Sequence, residues 1–124
     1  MASDSEPTVD QVFAMMHNTM GSIPSAIEKA TSVDEGLLYE HLRSRAYAMP
    51  AEGALNDETR TLIYLAAALA ASSKACIQAM ANKAKMQGIA QEKVLETVKI
   101  VRLALATKVI GDGEPIFEAL ENAK

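Results

Sequence analysis

Cys76 is the single cysteine in a chain of 124 residues and its side chain with the most chemical potential. Only a thiolate is a useful nucleophile, so what matters is what surrounds the sulfur. Ser72 and Ser73 lie four and three residues earlier and can donate hydrogen bonds, and Lys74 adds a nearby positive charge. Two readings of this segment stay open. If Ser72 caps a new helix, Cys76 sits near its first turn, where the helix dipole favours negative charge. If the preceding alanine-rich helix runs on, the dipole offers nothing and Cys76 is a buried hydrophobe, as free cysteines often are. A lone cysteine excludes an intrachain disulfide and any cysteine-cluster metal site.

The other candidates are weaker. His17 and His41 fall on different expected helices with no second ligand at i+3 or i+4, so no metal site is expected. Met15, Met16, Met20, Met80 and Met86 follow the helical spacing of core gap-fillers rather than of soft-metal ligands. Asp112 between Gly111 and Gly113 hints at a phosphate loop, but no strand precedes it and the Walker and Rossmann spacings are missing. It reads as a helix-terminating turn, and no cofactor is expected.

The elements that must position Cys76 are helical. Trp is absent, aromatics are only 4% of the chain, and alternating β-branched runs are missing. Thr8 and Gln11 have capping-box spacing, so a first helix starts after Thr8, carries Val9, Phe13, Met16 and Met20 on one stripe, and stops at Gly21. Pro24 suits the first turn of a short second helix through about Ala30. Ser32 and Glu35 repeat the capping-box spacing and predict a third helix from Val33 or Asp34 through Tyr47, ended by Pro50 and Gly53. Asn56 or Asp57 caps the next helix, through Thr61 and Leu69. Lys74 to Gln87 ends at Gly88, a good C′ residue. A long helix spans Gln91 to Ile110, and after a turn through Gly111, Asp112 and Gly113 a short one spans Pro115 to Asn122. The long helix is apolar over a wide arc, including Val94, Leu95, Val98, Leu103 and Ile110. It is therefore either a central core helix or one shared with another subunit. The runs of alanine from Ala66 to Ala84 let helix axes approach closely, in a core or at an oligomer interface.

Composition narrows the partners. Hydrophobic residues make up 49% and charged residues 23%, the balance of an ordinary folded protein. Residues 1–8 are expected to be a tail and residues 9–124 one helical domain, long enough to bury about two thirds of its unfolded surface without a staple. The net charge of −4, with no basic run, argues against nucleic acid or an anionic membrane as partner. The polar, acidic start is unlike a secretory signal and the longest apolar run, Leu62 to Ala71, is too short for a bilayer, so a cytoplasmic address is expected.

One resemblance adds to this reading. Gly53-Ala54-Leu55-Asn56-Asp57-Glu58-Thr59-Arg60-Thr61-Leu62-Ile63 is similar to the opening G-x-L-x-x-x-x-R-x-L-I of the carboxymuconolactone decarboxylase and alkylhydroperoxidase-D-like superfamily. An alanine-rich helix follows, then Cys76, Ala84 and Gly88 at family spacing, and a helix like Glu92 to Ile110. Upstream, Met20-Gly21-Ser22-Ile23-Pro24 and Leu37-Leu38 also fit, so the resemblance covers roughly residues 10–120. It implies an all-α bundle of about six helices that assembles as a homo-trimer or hexamer.

Redox members of that superfamily carry C-x-x-C, a His four residues on, and a Glu about twelve residues before the first Cys. By resemblance Cys76 takes the place of the second Cys, Ser73 of the first, Met80 of the His and Thr61 of the Glu. A two-cysteine peroxidase cycle within one chain is thereby excluded, and slow turnover at best is expected. Decarboxylase members depend on polar pocket residues. Ser72, Ser73, Lys74 and Gln78, with no His, depart from what removing carbon dioxide from a lactone acid needs. The implied function is an antioxidant, peroxidase-like oxidoreductase using Cys76 alone, with a hydroperoxide and a thiol reductant as its small molecules. The alternative is a non-catalytic oligomeric binding or scaffold member. Arg60, just inside a helix start, is expected to meet an acidic side chain of its own or a neighbouring subunit.

Overall fold

A computed structural model describes residues 6–123. Residues 1–5, most of the expected tail, and Lys124 lie outside the described residues. Among the described residues seven helices follow one another: α1 (Val9–Met20), α2 (Ser25–Val33), α3 (Glu35–Ala48), α4 (Asp57–Ala70), α5 (Lys74–Met86), α6 (Gln91–Asp112) and α7 (Glu114–Asn122). No strand occurs among the described residues. Among the described residues the count is seven where about six were expected, because the alanine-rich stretch breaks into α4 and α5.

Local chemistry sets most of the boundaries. Thr8 Oγ1 accepts from the Gln11 amide at 3.2 Å and Gln11 Oε1 accepts from the Thr8 amide at 2.8 Å, a complete capping box. Gly21 closes α1 in the left-handed conformation, φ 80°, where a Cβ would be strained. Asn56 caps α4 through Oδ1, which accepts from the Thr59 amide at 2.8 Å, and Asp57 and Glu58 follow in the first turn, the favourable end for acids.

Other boundaries differ from the sequence expectation. Helix α2 continues past Ala30 to Val33, so Ser32 lies inside it and its hydroxyl donates to the Lys29 carbonyl at 2.7 Å. Asp34 caps α3 instead, its Oδ1 accepting from the Gly36 amide at 2.9 Å. Its extended backbone (φ −154°, ψ 106°) is the N-cap geometry that Ser32, held in a helix, cannot adopt. Helix α6 runs through Gly111 to Asp112, and Gly113 alone separates it from α7. Gly113 is right-handed (φ −79°), so the expected Gly-Asp-Gly turn is reduced to a one-residue bend.

The core lies where α1, α3, α4 and α5 meet. Val12, Met16 and Met20 come from α1, Leu38 from α3, Leu65 from α4 and Met80 from α5. Helix α4 packs against both α5 and α6, α1 lies on α5, α2 on α3, and α7 on the end of α6. Small residues allow the α4–α5 approach: Ala68 and Ala84 are both buried. Helix α6 is not a central core helix of the single chain. Val101 is its one buried residue, and Leu103, Val109 and Ile110 are more than 60% exposed. No helix among the described residues is long and apolar enough to cross a membrane.

Candidate functional site

The position of Cys76 is decided by how α4 ends. Ala71 is the C-cap, Ser72 adopts φ 58°, the Ser72 amide donates to the Leu69 carbonyl at 3.2 Å and the Ser73 amide to the Ala68 carbonyl at 2.9 Å. That pair of bonds is the Schellman motif. Of the two readings of the segment, the break holds, but Ser72 does not cap the new helix. Ser73 occupies the N-cap position without a side-chain cap bond, and Lys74 opens α5. Cys76 is the third residue of α5, in the first turn, where amide N–H groups lack intrahelical acceptors and a thiolate meets the positive end of the dipole.

Helix α5 ends in the same motif with a glycine. The Gly88 amide donates to Lys85 at 3.1 Å and the Ile89 amide to Ala84 at 3.0 Å, with Gly88 at φ 68°. A serine in the left-handed region carries a Cβ penalty that glycine does not, on the order of 1 kcal/mol. Ser72→Gly is therefore expected to stabilise the fold by about 0.5–1 kcal/mol. A urea midpoint that moves up without a change in slope shows it.

Cys76 opens into an inner cavity of about 380 Å³ between α1, α2, α3, α4 and α5. Met80 and Lys83 share the α5 face with it, Tyr64 comes from α4, and His41 and Arg45 come from α3. The Tyr64 hydroxyl lies 3.8 Å from Cys76 Sγ, within hydrogen-bond range for sulfur. Burial, and then the bond to Cys76, push the Tyr64 phenol above its ordinary value of 10.0, while Arg45 pulls the other way. Phenol and thiol therefore meet with the phenol holding its proton. Lys83 is shifted below 10.5 by burial and then by Arg45, with Arg60 acting in the same sense and Asp57 against it.

The Lys83 shift fixes a sign. A base whose folded value is depressed weakens the fold while it is charged there, and stability recovers as pH rises through the window below 10.5. Lys83→Met is thus expected to be more stable than the parent at neutral pH, with the difference shrinking as pH climbs toward 10.5. Denaturant midpoints across that range measure it.

A second, outer cavity of about 570 Å³ lies between α3, α4 and the loop from Met49 to Leu55. His41, Arg45 and Tyr64 line both cavities. Arg60 lines the outer one and, among the described residues, meets no carboxylate of its own chain. The expected ion pair within the chain is replaced by packing on the loop: a Cβ added to Gly53 would fall 1.9 Å from an Arg60 guanidinium nitrogen.

The model of the carboxymuconolactone decarboxylase family matches residues 37–113, more than half of the chain. The chain belongs to that family. No curated protein matches it.

Within this carboxymuconolactone decarboxylase-family chain, the four residues singled out by resemblance are not gathered into one site. Cys76 and Met80 line the inner cavity, Met80 as a core residue 3% exposed. Thr61 is 1% exposed, lines neither cavity, and donates through Oγ1 to Gln87 Oε1 at 2.8 Å. Ser73 lines neither cavity and serves the helix break. The residues that do surround the sulfur, Tyr64, Lys83, Arg45 and His41, were not singled out together from sequence. Two spacings carried a signal: Cys76, Met80 and Lys83 at i, i+4 and i+7, and His41 and Arg45 at i and i+4, each one helix face. Nothing in the sequence pairs Tyr64 with Cys76, since that contact depends on how α4 folds back on α5. Among the described residues no three His, Cys, Asp or Glu side chains gather.

Proposed function

We propose that this chain is a one-cysteine thiol oxidoreductase that reduces small organic hydroperoxides in the inner cavity. The observation that carries the reading is the Tyr64 hydroxyl 3.8 Å from Cys76 Sγ, inside a cavity and in the first turn of α5. The Cys76 thiolate attacks the distal peroxide oxygen. A sulfur–oxygen bond forms, the O–O bond breaks, and the departing alkoxide takes a proton from the Tyr64 hydroxyl, which is replenished from water. The products are an alcohol and a Cys76 sulfenic acid. With one cysteine per chain, a first small thiol condenses with the sulfenic acid, releasing water and leaving a mixed disulfide. A second thiol restores Cys76 and leaves as the disulfide of the reductant. Two thiols and one hydroperoxide thus give a disulfide, an alcohol and water. An antioxidant role and a reducing, cytoplasmic setting suit that cycle. Decarboxylation is not proposed.

Assembly belongs to the same proposal. Leu103, Val109 and Ile110 on α6, with Ile116, Phe117 and Leu120 on α7, are apolar and exposed on the single chain. A trimer or hexamer that covers them avoids a large apolar patch in water. A monomer by light scattering at micromolar concentration contradicts this part.

A second reading, a non-catalytic oligomeric binding or scaffold member, is favoured by the burial of Thr61 and Met80 at the positions resembling the redox Glu and His. Steady-state reduction of an alkyl hydroperoxide with a monothiol separates the two. The oxidoreductase reading expects slow turnover that Cys76→Ser abolishes. Equal rates for the two proteins contradict it and leave the binding reading.

A further inference from the structure

The outer cavity gathers charge that the mechanism does not use. Arg45 and Arg60 are both half-buried and both line it, and His41 adds a third nitrogenous side chain. Among the described residues no Asp or Glu lines the cavity. Arg43, Lys93 and Lys108 each reach a carboxylate within their chain, whereas among the described residues Arg45 and Arg60 make neither an ion pair nor a hydrogen bond through their guanidinium groups. Two unpaired guanidinium groups facing one cavity, in a chain of net charge −4, raise the local potential and favour an anion there. The fields overlap: Lys83, on the far side of Arg45, is influenced by both arginines. Asp57, which acts on Lys83 in the opposite sense, lines neither cavity.

The remaining wall is apolar, with Met49, Leu55, Ile63 and Ala67 among its members and the Ser44 hydroxyl as its one neutral side-chain donor besides Tyr64. A phosphate monoester, with three exposed oxygens and nearly two charges, costs more to strip of water against this apolar wall than a carboxylate with one charge. A carboxylate presents two oxygens in a plane, the geometry that a guanidinium fork matches. The volume of about 570 Å³ is that of a small-ligand site. Gly53 has a defined place here, because the absence of its Cβ leaves room for the Arg60 head against the loop.

We propose that the outer cavity binds a small organic monocarboxylate with an apolar body, the carboxylate on Arg45 and Arg60 and the body against Leu55, Ile63 and Ala67. Cys76 does not line the outer cavity, and the test of the proposal needs no turnover.

Calorimetric titration of the full-length protein with octanoate, octanol and inorganic phosphate tests it. Octanoate is expected to bind once per chain and raise the melting temperature, while octanol and phosphate bind far more weakly. Arg60→Gln and Arg45→Gln are each expected to weaken octanoate by about tenfold, the scale of one lost charged hydrogen bond. Gly53→Ala, in the exposed loop, should displace the Arg60 head and weaken octanoate while leaving the melting temperature of the unliganded protein near that of the parent. Arg60→Lys should bind between the parent and Arg60→Gln. Cys76→Ser should bind octanoate like the parent, whatever its effect on peroxide. Octanol binding as tightly as octanoate, phosphate competing on equal terms, octanoate binding that ignores both Arg60→Gln and Gly53→Ala, or no octanoate binding at all would each overturn the proposal.

Discussion

Tyr64→Phe is expected to slow hydroperoxide reduction about 100-fold in kcat/KM while leaving the fold intact, the usual scale of a lost proton donor. The ring lies between the two cavities and its hydroxyl reaches the Cys76 sulfur, so the substitution deletes one oxygen and keeps the packing. If the hydroxyl acts only by filling space, the rate changes less than twofold. The bond itself has a separate readout. With its phenol pushed above 10.0, Tyr64 contributes a phenolate step at the alkaline end of an absorbance titration, and Tyr64→Phe removes that step.

Leu38→Ala is expected to cost about 3 kcal/mol of stability, in the range for large-to-small changes in a packed core. Leu38 is 1% exposed and is the contribution of α3 to the buried cluster formed with α1, α4 and α5. Because α3 also carries His41 and Arg45 into both cavities, losing its anchor loosens the site as well as the core. Chemical denaturation measures the effect. A loss below 1 kcal/mol would mean that α3 is held by something other than this cluster.

Much of the fold could be read directly from local chemistry. The Thr8–Gln11 box, the Asn56 cap and Gly88 at the end of α5 each act within a few residues, so their spacing carries the information. The helical spacing on α1 points to Val9 and Phe13, which are partly buried, whereas Val12 is wholly buried on the line Val12, Met16, Met20. An i, i+4 line and an i, i+3 line differ by a small rotation, and only the partner helix chooses between them. Ser72 escaped because left-handed serine is rare, and its consequence, the separation of α4 from α5, is what puts Cys76 in a first turn. Ser32 is a capping type, but the three residues by which α2 outruns Ala30, Thr31 to Val33, place it inside that helix and leave the cap to Asp34.

The candidate site was less legible than the fold. Cys76 stands out by type alone, but the residues around it come from three helices whose packing no local pattern specifies. Thr61 and Met80 were placed beside it by resemblance. The structure turns Thr61 onto Gln87 and keeps Met80 in the inner cavity as an apolar core residue, so the polar group that reaches the sulfur is the Tyr64 hydroxyl.

The most direct test of the oxidoreductase reading is a single exposure of the reduced protein to one equivalent of an alkyl hydroperoxide, with a sulfenic-acid trap and intact-mass readout. The expected result is one trapped oxygen on Cys76 per chain, formed faster than on the same thiol in the urea-unfolded chain. A Cys76 that reacts no faster folded than unfolded would contradict the claim that the cavity and Tyr64 activate it.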